Sequence, residues 1–224
     1  EKDIVEGGGD VVIEEYRKKI DIDFVVLGSG IAFARAFAAQ YSDEQARLVE
    51  FEDFDTARVL FFDTEAGERT STQTEGERKQ YEITMEVEFA GARKESYRSD
   101  SRKPVVEPAT LEEDLSRRDF TVNAMAREVT EDGLGDVVDP YDGVADLHSK
   151  LLRTPLDPDE TFSEDPLRML RAARFAAQLG FEVEEATLAS ITKNAKRLEI
   201  ISPELIQEEF TKLLGTPVPS VGLW

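Results

Sequence analysis

Cysteine is absent from this 224-residue sequence, so neither a disulfide framework nor a thiolate zinc site can be built from it. A reducing cytoplasm is the compartment that fits such a chain. His148 is the single histidine, which excludes centres that need several imidazoles. No run of 18 apolar residues occurs, so no membrane-spanning helix is expected. The first residues, Glu1-Lys2-Asp3-Ile4, lack the basic and apolar regions of a signal peptide. Positive charge is scarce as well: 27 Lys and Arg face 48 Asp and Glu, a net charge of -21. Phosphate contacts supply most non-specific affinity for nucleic acid, so any such site must be a local basic patch on an acidic body.

Hydrophobic residues make up 40% and charged residues 33%, which fits a globular chain with room for one large domain or two small ones. The most informative stretch is Asp21-Ile22-Asp23-Phe24-Val25-Val26. Side chains alternate along a strand, so Asp21 and Asp23 share one face. Two carboxylates side by side repel unless a cation lies between them. A hard divalent ion such as Mg2+ suits oxygen ligands, and ion pairs roughly 3.5–4 Å apart serve nucleotidyl transfer. Two solvated aspartates at a strand start are the equal alternative. Tyr81 to Phe89 alternates cleanly, with Ile83, Met85, Val87 and Phe89 on one face and Glu82, Thr84, Glu86 and Glu88 on the other. If that strand neighbours the aspartate strand, Glu86 or Glu88 can complete a three-carboxylate site.

The remaining elements read in order. Gly8 and Gly9 precede the first strand by a spacing that can offer backbone N–H groups to phosphate, or simply make a linker. Ile31 to Tyr41 reads as a helix and Ala57 to Phe62 as a strand. The 63–80 segment reads as a long hairpin loop, and 91–110 as a loop carrying Arg93, Lys94, Arg98, Arg102 and Lys103. Residues 116–126 read as a helix, in which Arg117 and Arg118 suit either a salt-bridged surface or the oxygens of a triphosphate. Ser163 is the expected N-cap of a helix running Leu167 to Leu179 and stopped by Gly180. Along it, Asp165, Arg168 and Arg171 fall three apart on one face. Helices over 185–198 and 203–214 complete the pattern: strands and helices first, helices alone afterwards.

Together these segments resemble the bacterial class II tRNA nucleotidyltransferase and poly(A) polymerase family of the DNA polymerase β-like superfamily. The likeness rests on Asp21-Ile22-Asp23, on Val87 through Tyr97, on Arg117-Arg118-Asp119-Phe120-Thr121-Val122-Asn123-Ala124, and on Glu164-Asp165-Pro166-Leu167-Arg168 through Arg174-Phe175. It implies an α+β fold: a small mixed-sheet nucleotidyltransferase head over 1–147, then an all-helical neck over 148–224. It implies Asp21, Asp23 and Glu88 as catalytic, metal-binding carboxylates and Mg2+ as the cofactor. Gly8, Gly9, Arg118, Asp119 and Asn123 would then handle ribose and triphosphate. Asp165 and Arg168 would read the base, with Arg171 on phosphates. ATP, CTP and a tRNA 3′ end or other RNA are the implied partners, with no membrane. The activity implied is template-independent addition of C and/or A to tRNA; poly(A) synthesis, or a catalytically silent nucleotide- or RNA-binding module, are the alternatives. The family pattern Gly-Gly-x-Val-Arg-Asp is altered, since Gly8-Gly9 is followed by Asp10-Val11-Val12-Ile13 without an arginine. The resemblance further implies that body and tail domains follow the neck in a longer enzyme.

Overall fold

A computed structural model of the chain describes residues 20–62, 83–96 and 105–223, excepting the side chains at positions 20, 21, 95, 96 and 105. Gly8 and Gly9, the 63–80 segment, and Arg98, Arg102 and Lys103 lie outside the described residues. The chain divides into two compact units: Glu1–Phe24 with Ile31–Ala90, and Val25–Gly30 with Gly91–Trp224.

The first unit is built on β1 (Ile20–Val26), α1 (Gly30–Ala38), β2 (Ala46–Phe51), β3 (Thr56–Phe62) and β4 (Ile83–Gly91), with a 3-10 turn at Glu52–Phe54. The four strands form one sheet in the order β1-β4-β3-β2, and β3 pairs antiparallel with both β2 and β4. Phe89 on β4 centres the core. It stacks on Phe24 at 5.1 Å and meets Phe33 and Phe37 of α1 at 5.2 and 5.0 Å. Tyr41 and Phe37 close over Phe61 of β3. The second strand, β2, was not expected, because charges interrupt its alternation. Those charges find partners on other elements: Arg47 lies over the Phe62 ring, and Glu50 pairs with Arg35 of α1 at 2.6 Å.

In the second unit the segment expected as a loop after residue 91 contains a strand pair, β5 (Arg93–Ser96) with β6 (Val105–Pro108), tied by a Lys94–Glu107 ion pair at 3.2 Å. Helix α2 covers Leu111–Ser116 rather than 116–126. A reciprocal cap fixes its start: Thr110 Oγ1 accepts from the Glu113 N–H, and the Glu113 carboxylate accepts from the Thr110 N–H. Residues 117–125 instead make a turn with a 3-10 segment at Thr121–Asn123. There Asp119 Oδ1 accepts from the Phe120 N–H, a local bond that competes with helix formation. An unexpected hairpin follows, β7 (Ala126–Thr130) with β8 (Gly133–Val138).

Helix α3 (Gly143–Ser149) starts where the Asp139 carboxylate accepts from the N–H groups of Gly143 and Val144. It leads to β9 (Leu151–Leu152), which pairs in parallel with β10 (Glu182–Val183), so the C-terminal part is not purely helical. Around that pair lie α4 (Pro158–Glu164), α5 (Leu167–Leu179), α6 (Glu185–Asn194), α7 (Pro203–Leu214) and α8 (Ser220–Leu223). Ser163 is not the cap of α5, because it lies in the last turn of α4, whose start Asp157 and Pro158 set. Between the two helices, Asp165 Oδ1 accepts from the Leu167 N–H. The core joins Phe120, Leu152, Ala172 and Ala176, with Phe175 set edge-on to Phe120. The α+β class stands as expected, and no described helix is long and apolar enough to cross a membrane.

Gly180 ends α5 in the left-handed region, at φ 66°. Nothing lies within 4 Å of a Cβ added there, so only the backbone conformation opposes a side chain. Gly180→Ala is expected to cost about 1 kcal/mol, seen as a fall in melting temperature of roughly 2–4 °C. An unchanged melting temperature would contradict it.

Candidate active site

Strand pairing in the first unit meets the condition for a carboxylate cluster, since β1 is the neighbour of β4. Asp23 lies exposed on β1; Asp21 lies on the same strand, and its side chain is outside the described residues. Register places Arg58 of β3 directly opposite Glu88 of β4. Arg58 Nε donates to Glu88 Oε2 at 2.7 Å, and a terminal nitrogen stands 3.1 Å from Glu86 Oε1. The guanidinium also lies over the Phe51 ring at 5.3 Å. Its pKa is raised, first by the hydrogen bond to Glu88, against the effect of burial, and then by the charges of Glu88, Glu86 and Asp23. Among the described residues no three ligating side chains converge at metal-binding spacing. The donors present are all carboxylate oxygens, which is the chemistry Mg2+ takes, and Asp21 is the partner they would need.

The second unit gathers Asp119, Asn123 and Arg171 into one network and ties Arg118 and Arg168 into another through Arg117. Asp119 is buried, and its Oδ2 accepts from two nitrogens of Arg171 at 2.8 and 2.6 Å. Its Oδ1 accepts from Asn123 Nδ2 at 3.0 Å as well as from the Phe120 N–H. Arg171 also lies over the Phe175 ring. Arg168 is 7% exposed. It donates to the Arg117 carbonyl at 2.6 Å and the Thr161 carbonyl at 3.3 Å, and it pairs with Glu164 at 3.6 Å. The guanidinium of Arg168 thus fastens α5 to the arginine turn. Arg118 contributes one nitrogen to Asp114 at 3.0 Å, while its buried Nε has no hydrogen-bond partner among the described residues.

Two residues central to this arrangement were not singled out from the sequence. Asp114 is 1% exposed and binds Arg117, Arg118 and the Arg93 N–H together. Its spacing of three and four from the two arginines on a helix was a readable sign. Burial pushes its pKa up, but the charges and hydrogen bonds of Arg117 and Arg118 outweigh that and leave it below the usual range. Arg58, the second, lies inside the mostly apolar run expected as a strand. A further buried junction joins Thr121, Asp146 and Arg153, with Asp146 Oδ2 accepting at 2.6 and 3.1 Å.

Against known families, residues 8–153 match the model described as Poly A polymerase head domain. Residues 180–223 match Probable RNA and SrmB- binding site of polymerase A. The chain belongs to the poly(A) polymerase head-domain family. It is 53% identical over 124 residues to the CCA-adding enzyme of Limosilactobacillus fermentum, covering 54% of this chain and 30% of that one. It is 36% identical over 181 residues to the A-adding tRNA nucleotidyltransferase of Aquifex aeolicus, covering 81% of this chain and 19% of the relative. A tRNA nucleotidyltransferase solved with a primer tRNA and an incoming ATP analog superposes with a TM-score of 0.66 at 30% identity, covering 91% of this chain and 50% of the other. The chain thus spans about a third of the length of the curated CCA-adding relatives it matches.

Proposed function

We propose that the protein is a template-independent RNA nucleotidyltransferase that adds C and/or A to the 3′ end of tRNA from CTP and ATP. The observation that carries this reading is the adjacency of β1, which bears Asp23, and β4, whose Glu86 and Glu88 meet Arg58. The Asp119–Arg171–Asn123 network supports it, as do relatives that bear CCA-adding and A-adding names. A head over 1–147 and a neck over 148–224 is the domain division proposed with it.

In this reading Asp21, Asp23 and Glu88 would hold Mg2+ ions, which would supply the lowered pKa of the primer hydroxyl and the charge that offsets the departing pyrophosphate. The chain's own side chains otherwise position the reactants. The 3′-oxygen forms a bond to the α-phosphorus, the bond from that phosphorus to the bridging oxygen of the β-phosphate breaks, and the hydroxyl proton leaves to solvent. Arg118 and Arg171 are the forks proposed for triphosphate oxygens, with Asp114 holding Arg118, Asp119 holding Arg171, Asp119 and Asn123 making the ribose contact, and Gly8 and Gly9 supplying backbone N–H groups. Asp165 accepts from the exocyclic amine common to cytosine and adenine, and Arg168 donates to the ring acceptors.

The test is the full-length protein incubated with tRNA lacking its last three nucleotides, plus CTP, ATP and Mg2+, with products resolved on a gel. Addition of CCA or part of it supports the reading. A long A tract assigns poly(A) synthesis, and no extension refutes catalysis. For base choice, Asp165→Asn keeps the oxygen that accepts from Leu167 and adds a donor that suits the carbonyls of uracil and guanine. Misincorporation of UTP and GTP relative to CTP and ATP is expected to rise by about tenfold or more; unchanged ratios refute the assignment.

A further inference from the structure

Arg58 is the one described cation in direct contact with the carboxylates of β4, and the sheet itself puts it there. Its register partner is Glu88, its ion pairs run to Glu88 and Glu86, and Asp23 adds to the charge it feels. The ring of Phe51 holds the guanidinium from another side. Glu88, whose Oε2 lies 2.7 Å from Arg58 Nε, is also a residue that the proposed function assigns to a divalent ion. A carboxylate oxygen already bonded to a guanidinium is a poorer metal ligand, and a fixed positive charge nearby repels a second cation.

We propose that Arg58 is a built-in competitor for the divalent ion: it holds Glu88 and Glu86 through the sheet register and sets how much Mg2+ the cluster needs before it loads. This inference rests on the metal-binding role given to Asp23 and Glu88 above. Arg58 is a positioning residue in this scheme, acting on the reaction only through Glu88. Removal of its charge frees the carboxylates and removes the repulsion, so affinity for a divalent cation rises. A residue with a merely structural role would leave affinity unchanged or lower it as the sheet loosened.

The experiment uses Mn2+ as the probe, with free Mn2+ counted by its electron paramagnetic resonance signal during titration of the 224-residue chain, and Mg2+ added as a competitor. Arg58→Gln is expected to bind Mn2+ about tenfold more tightly than the parent, and Arg58→Lys, which keeps the charge, to stay within about threefold of it. Glu88→Gln is the control for the site itself and is expected to bind at least about tenfold more weakly. Equal or weaker binding by Arg58→Gln, with Glu88→Gln impaired, overturns the role of Arg58 alone. A parent and a Glu88→Gln variant that bind alike overturn the metal-site reading and this inference with it. A urea melt of each variant separates a loosened sheet from a changed charge.

Discussion

Asp114→Ala is expected to destabilise the second unit by about 3 kcal/mol, measured as a lower urea midpoint at neutral pH. The side chain is 1% exposed and serves Arg117 at 2.6 Å, Arg118 at 3.0 Å and the Arg93 N–H at 3.2 Å. Its removal leaves two guanidinium groups and one backbone donor without their shared acceptor, and desolvated charges lose more than exposed ones would. The Arg117 carbonyl also accepts from Arg168, so disorder in this turn reaches α5. The same carboxylate dictates a pH dependence. Its folded-state pKa lies below the unfolded value of about 3.9, so its contribution is complete above that pH and is lost as pH falls through the folded value. The gap in stability between parent and Asp114→Ala should therefore stay flat from pH 7 to about 5 and narrow below about 4. A gap that widens in acid, or a midpoint that does not move, would contradict the assignment.

The parts of the fold that could be read in advance are those whose sequence pattern and final environment agree. The alternation of Ile83, Met85, Val87 and Phe89 is the pattern of a strand with one dry face, and Val87 and Phe89 are buried as that requires. Pro166 and Gly180 bracket α5 because neither residue type tolerates a helix interior, and the helix runs Leu167–Leu179. The misses share a cause. β2 carries Arg47 and Glu50, whose partners come from other elements, so local periodicity is hidden by long-range pairing. The segment after α2, expected as a helix, is a turn because the Asp119 side chain captures the backbone N–H of Phe120. Much of the candidate site followed from motif order: Asp119, Asn123 and Arg171 do meet. Residues that act through geometry, such as Arg58 opposite Glu88, were not legible, because strand register is set by pairing and not by the spacing of residues along the chain.

Asp23→Asn is expected to lower nucleotide addition by the full-length protein by about 10³-fold, with little change in the affinity for tRNA. The carboxamide keeps the shape of the side chain and removes the charge that the proposed function assigns to holding Mg2+. Catalysis that relies on charge placed for the transition state is lost when that charge is lost, even if the fold is intact. Stability separates this from a structural role. Asp23 lies exposed on β1, the strand beside the one that carries Glu86 and Glu88. Neutralising Asp23 relieves repulsion, and the urea midpoint of Asp23→Asn should hold or rise. Glu88→Gln should lose activity to a similar degree yet fall in midpoint, because it breaks the 2.7 Å pair with Arg58. For that exposed pair the loss is about 0.5 kcal/mol, small beside the catalytic effect. Primer-extension rates and urea melts on the two variants read both quantities. Activity in Asp23→Asn within tenfold of the parent would remove Asp23 from the catalytic set, and a matching fall in stability would make it a structural residue of β1.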